Sequence, residues 1–282
     1  MNLWNHVTTV WCLLLVFFPH SLSSAGYGEL DRDYCYTNVV VSVPALVPLE
    51  GMLRKRSFDD GRPAPDRVVR VRALFPTNDV DGIDAGRMDL KAAKDADIYL
   101  TMGWEQEAAW ARQVRHVNPS VHIVDVTGKC WKLEDNPYLW MARGNFLEIY
   151  LAAQGVLLGG VTNIQSICSM NDALGRNEML RLRPSIVVTH RALQYTAGDM
   201  AIPSLLSEID ADGRRHDAIP NLVAVAKAKG ACLVFAPQQS DRPAAQKLAD
   251  EIGVELVVVD MEDVFDVAHK MYRRTREVMT SR

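Results

Sequence analysis

The chain has 282 residues; at about 150 residues per domain this allows two domains, enough to bury a core without help from disulfides or metal. With 48% hydrophobic and 23% charged residues, it is not a disordered tail, a collagen-like chain or a polytopic membrane protein. A net charge of −4 and a pI near 6.0 leave no basic footprint for nucleic acid and no polybasic anchor for anionic lipid.

No Lys, Arg, Asp or Glu precedes Glu29. The apolar run Val10–Phe18 is shorter than the roughly 20 residues a spanning helix needs. It is followed by Pro19-His20 and by small residues ending Ser23-Ser24-Ala25. This pattern predicts a secretory signal peptide over residues 1–25, cleaved after Ala25, and a periplasmic destination; the alternative is an uncleaved anchor. Of five cysteines, the mature chain keeps Cys35, Cys130, Cys168 and Cys232. In an oxidising compartment these allow three full pairings, among which Cys168 with Cys232 is one candidate bond. Four buried thiols, or a soft-metal role for Cys130, are the other readings.

Asn38–Val43 is a near-continuous apolar run, as in a strand buried on both faces. Arg67–Leu74, Ala96–Met102 and Val121–Val126 read as further strands. Helix-length segments lie between them at Pro48–Arg56, Arg87–Lys94 and Glu105–Val117, and Pro48 suits a first helical turn. Asn145–Arg183 reads mostly helical. Strands resume at Ser185–Thr189, Ala231–Phe235 and Val254–Val259, with helices at Leu222–Lys229, Pro243–Ile252 and Val264–Met279. The alternation predicts an α/β protein of two similar lobes. Each would have a parallel sheet flanked by helices: residues 26–144, a helical connection 145–183, and residues 184–282. Ligands of such folds bind at the carboxyl ends of the strands, and in an exported chain that points to solute capture.

The sequence contains no G-x-S-x-G elbow, phosphate loop, G-x-G-x-x-G, H-E-x-x-H or C-x-x-C. Five histidines remain after signal removal: His116, His122, His190, His216 and His269. His116 and His269 sit among charged neighbours on helical segments, His122 lies in a strand, and His216 falls in a polar loop. Only His190 directly follows an apolar strand. The acidic loop Asp79–Asp84 lacks the twelfth-position Glu of a calcium loop, since Leu90 stands there.

The order of segments resembles the cluster A-I substrate-binding proteins of ABC transporters, the ZnuA/TroA type. Leu74-Phe75-Pro76, Asp89, Ala96-Asp97 and Gly103 look like that family's L-x-P…D…A-D-x-x-x-x-x-G, and Glu107 and Trp110 like the Glu and Trp after it. Asn136-Pro137-Tyr138-Leu139-Trp140 is similar to its D-P-H-V-W, with Asn145 after it. Thr189–Tyr195 is similar to its H-x-A-(F)-x-Y, and Val258-Val259-Asp260 to its last strand end. The resemblance implies one metal ion held by side chains of both lobes, and its ligand positions fall on Asp81, Tyr138, His190 and Asp260. Both histidines of the first lobe are thus replaced.

Three oxygens and one nitrogen lean towards iron or manganese rather than zinc. Tyrosinate, with a free pKa of about 10, forms at neutral pH only beside a strong Lewis acid such as ferric iron. The implied function is that of a periplasmic, monomeric, non-enzymatic binding protein. It would deliver a transition-metal ion (Fe, Mn or Zn) to an ABC permease and its ATPase. Three alternatives remain open. One is a small organic ligand or metal complex lined by Trp104, Trp110, Trp131 and Trp140. Another is a metal-free interaction protein on the same fold, and the third a hydrolase using His190 as base.

Overall fold

The computed structural model describes residues 35–56, 67–78, 80, 82–133, 135–158, 176–210, 212–261 and 264–281. The expected signal peptide, Asp81 and Cys168 lie outside the described residues.

Two sheets carry the chain. The first has four parallel strands in the order β2-β1-β3-β4: β1 Cys35–Val41, β2 Arg67–Ala73, β3 Ile98–Thr101 and β4 His122–Asp125. The second has the order β7-β6-β5-β8-β9: β5 Ser185–Val188, β6 Ser204–Ile209, β7 Arg215–Asp217, β8 Ala231–Pro237 and β9 Glu255–Val259. Its pairs are parallel except β6 with the edge strand β7. In each sheet the first strand lies inside and the second pairs on one side of it; on its other side pairs β3 in the first sheet and β8 in the second, where the edge strand β7 intervenes in the chain. The chain therefore reverses direction across the sheet at β1/β3 and again at β5/β8, and such switch points open ligand crevices at the carboxyl ends.

Local chemistry explains most element boundaries. The helix Glu105–Val117 follows Gly103, whose φ of 68° makes the turn out of β3. Arg87–Lys94, expected as one helix, is instead a 3₁₀ turn Ala85–Arg87 and a helix Leu90–Lys94. Asp84 and Asp89 each cap their own turn, and extended Met88 separates the two. Pro48 precedes its helix, which begins at Leu49. The helix Ala192–Asp199 and strands β6 and β7 are additions to the sequence reading, and His216 belongs to β7 rather than to a loop. The connection contains helix Arg143–Leu158 and helical residues 176–182.

One hydrophobic cluster runs through both sheets. It joins Val39, Leu100 and Trp140 to Ile149 of the connecting helix and to Ile186, Phe235 and Met271. The opposite face of the second sheet has a smaller core under helices Leu222–Ala228 and Arg242–Ile252. Among the described residues no helix is long and apolar enough to cross a membrane.

Candidate functional site

His190 follows β5 at the switch point of the second sheet, and Thr189 N–H still donates to Phe235 O across it at 2.9 Å. The imidazole Nδ1 accepts the Ala192 N–H at 3.1 Å, so His190 caps the start of helix Ala192–Asp199. A ring nitrogen that accepts cannot carry the proton, and the neutral ring is therefore protonated at Nε2.

Tyr138 arrives from the other sheet, on the segment that leaves β4. It is buried, at 3% exposure, just before the 3₁₀ turn Leu139–Met141. Its ring meets the His190 ring edge-to-face, with centroids 4.9 Å apart at an interplanar angle of 75°. The Arg191 guanidinium stands 5.8 Å from the Tyr138 ring centroid. Buried Asn145 fixes both ends of this segment: its amide donates to Trp131 O and Leu139 O at 2.8 and 2.9 Å, and its carbonyl accepts the Trp131 N–H at 3.0 Å.

Tyr138 also ends a run of ring contacts into the first lobe. Phe75 meets Trp110 at 4.6 Å, Trp110 meets Trp104 at 6.2 Å, Trp104 meets Trp140 at 5.5 Å, and Trp140 meets Tyr138 at 5.4 Å. Three of the tryptophans offered as pocket lining, Trp104, Trp110 and Trp140, are therefore core; Trp131 alone of the four is exposed, at 38%.

Of the four ligand positions, the structure brings Tyr138 and His190 together. Asp260 is exposed directly after β9, and the order β5-β8-β9 puts it two strand spacings from His190, about 10 Å. Asp81 is outside the described residues. Among the described residues no group of three or more His, Cys, Asp and Glu is placed to hold a metal. Burial pushes the Cys130 thiol up to about 12, so in the metal-free chain it stays a neutral thiol at neutral pH. A groove of about 590 Å³ lies elsewhere, on the outer face between Ala85–Leu90 and the helix Glu105–Val117.

The switch point of the first sheet holds a different cluster. Glu107, 3% exposed, accepts the N–H groups of Met102 and Trp104 at 2.7 and 3.1 Å on one carboxyl oxygen. The other oxygen meets the Ser42 hydroxyl in a short hydrogen bond, and Ser42 in turn meets the Tyr99 hydroxyl at 2.9 Å. Burial pushes the Glu107 carboxyl up to about 7; Asp125 adds to this, while the hydrogen bonds oppose it. Burial, with the Glu107 charge beside it, raises the Tyr99 phenol well above its ordinary value. Glu107, Asn136, Asn145 and Tyr195 stand in the sequence only as motif residues, with no role assigned by the motif itself. Arg191 was not singled out, and only its place next to His190 could have flagged it.

No family model matches the sequence, and no curated protein matches it. Solved structures do. The chain is similar to ZnuA at a TM-score of 0.56 and 16% identity, over 87% of this chain and 99% of that one. It is similar to a zinc-bound deletion mutant of ZnuA at 0.57 and 17%, over 87% and 97%. A third likeness is to a manganese-bound periplasmic metal-binding protein from Candidatus Liberibacter asiaticus, at 0.57 and 16%, over 86% and 99%. That protein has also been solved with cadmium. This chain has the two-lobe α/β fold of these periplasmic metal-binding proteins.

Proposed function

We propose that this protein is a periplasmic solute-binding protein of the cluster A-I type, capturing one transition-metal ion for an ABC permease and its ATPase. The observation that carries the proposal is the Tyr138–His190 contact, formed at a switch point from residues of two sheets. It occurs in a fold whose solved examples include zinc-, manganese- and cadmium-bound proteins. Tyr138, His190, Asp260 and Asp81 are the proposed ligands, with residues 26–144 and 184–282 as the lobes and 1–25 as the export signal. Three anionic oxygens and one imidazole favour iron or manganese over zinc. Without the ion Tyr138 is a neutral phenol and the two carboxylates repel; with a ferric ion the phenol ionises and the three anionic oxygens balance the trivalent charge, so binding energy goes into holding the ligand-bearing segments together. The protein captures and releases; it does not turn its ligand over.

His190 sets a condition on this chemistry. Its Nε2 can ligate only after the ring proton leaves or moves to Nδ1, and the second course requires giving up the Ala192 N–H. The same tautomer, with Arg191 beside it, favours a second reading in which Nε2–H donates to an anionic oxygen of a metal complex or small organic ligand. Elemental analysis of the purified mature chain, stripped and then equilibrated with competing Fe, Mn and Zn, tests the proposal. One ion retained per chain, with a raised melting temperature, is expected. No retained ion and no ion-dependent shift refutes it. A visible tyrosinate-to-iron band that disappears in Tyr138→Phe identifies the ferric form.

A further inference from the structure

The segment bearing Tyr138 departs from the first sheet, yet its polar bonds fasten it to the second. Buried Tyr195, on the helix that follows His190, uses its hydroxyl twice. It accepts the Leu133 N–H at 2.9 Å and donates to Asn136 O at 3.1 Å. The Trp131 ring packs on the Tyr195 ring with centroids 4.9 Å apart and lies over Gly198, where an added Cβ would come within 3.1 Å of it. Further along, Thr196 Oγ1 donates to Met141 O at 2.9 Å, and Arg143 pairs with Asp199 at 3.4 Å.

Asn136 makes the link that bears most directly on the site. Its Oδ1 accepts the Tyr138 N–H at 3.2 Å while its Nδ2 donates to Arg191 O at 2.7 Å. One side-chain amide thus spans from the backbone of one proposed ligand to the residue next to the other. Arg191 returns a bond from its guanidinium to Asp135 O at 3.4 Å. One polar side-chain tie from this segment back to the first lobe's helix region is Trp104 Nε1 to Pro137 O, at 2.9 Å.

We infer that Asn136 and Tyr195 are positioning residues that hold Tyr138 against His190 before any ligand arrives. This rests on the proposed ion-binding role for its meaning, though not for its geometry. The Tyr138–His190 pair is then a preformed half-site that travels with the second lobe, and any rearrangement on capture falls on the other ligands. The entropy of bringing phenol and imidazole together is met during folding rather than during binding.

The test is carbon-resolved NMR of the histidine rings in the ligand-free mature protein. An edge-to-face pair at this distance places His190 in the ring current of Tyr138, and Tyr138→Leu gives its position without that ring. In both Tyr195→Phe and Asn136→Ala, the His190 signal is expected to move at least halfway to the Tyr138→Leu position. In Thr196→Val, which removes a tie touching neither Tyr138 nor His190, it stays in place. Tyr195→Phe keeps the buried ring volume, and Asn136 is only half-buried, so two independent variants carry the test. Folded variants with an unmoved His190 signal overturn the inference. Titration with Mn(II) and Fe(III) separates the two claims, with Tyr195→Phe expected to weaken binding about tenfold. If wild type binds neither ion but the variants lose the ring-current shift, the positioning stands and the ion-binding reading falls. If wild type binds and the His190 signal stays fixed in the variants, the positioning falls alone.

Discussion

Replacing Glu107 by Gln isolates a single buried ionisation. The folded chain holds the Glu107 carboxyl near 7 because burial disfavours the charged form, against an ordinary 4.5. Below pH 4.5 the group is protonated in both folded and unfolded chains and contributes no penalty. As pH rises from 4.5 to 7 the unfolded chain ionises first, so stability falls; above 7 the loss levels off. Over roughly 2.5 pH units at 1.36 kcal/mol each, the loss is about 3 kcal/mol. Gln reproduces the protonated acid. Its carbonyl can accept the Met102 and Trp104 N–H groups, and its amide can donate to the Ser42 hydroxyl. Urea unfolding of wild type and Glu107→Gln at pH 5 and pH 8 is the assay, and titrations elsewhere cancel in the difference. The variant should match wild type within about 1 kcal/mol at pH 5 and exceed it by about 3 kcal/mol at pH 8. For a chain of this size that is roughly 8 °C in melting temperature. A difference that is the same at both pH values, or a less stable variant at pH 8, would refute the reasoning.

His190 should show Nε2 protonated in nitrogen NMR of the ligand-free protein. Saturation with the retained ion should then shift the proton to Nδ1 and release the Ala192 amide; a ligand-free ring protonated at Nδ1 contradicts the cap. Giving up that cap costs about 1 kcal/mol, or roughly fivefold in ion affinity. Gly103→Ala should lower unfolding stability by about 1–3 kcal/mol. Its φ is 68°, and a Cβ there would meet Asp125 Oδ2 at 3.0 Å and Thr127 Oγ1 at 3.1 Å. A loss below about 0.5 kcal/mol in urea would show that the turn yields.

The helix Glu105–Val117 and the buried strand β1 were legible because each follows from a one-dimensional pattern: an apolar stripe after a glycine turn, and an unbroken valine run. The helix Ala192–Asp199 left no such trace. Ala192, Leu193, Tyr195, Thr196 and Ala197 are all buried, so it has little polar face to set a period. Strand β7, Arg215-His216-Asp217, is polar throughout because it is an exposed edge held by one antiparallel neighbour. At the site, the motif order pointed to Tyr138 and His190. The bridge made by Asn136 depends on the relative placement of two sheets, which no spacing within the sequence encodes.

The ring contacts from Phe75 through Trp110, Trp104 and Trp140 to Tyr138 also have an optical consequence. Aromatic groups this close exchange excitation energy, and three of these chromophores are indoles shielded from water. The emission of these three indoles is therefore weighted towards short wavelengths and wired to one end of the array. If the proposed site fills, a paramagnetic or strongly absorbing ion beside Tyr138 and His190 would dim tryptophans deep in the first lobe, a reporter of occupancy that needs no added dye.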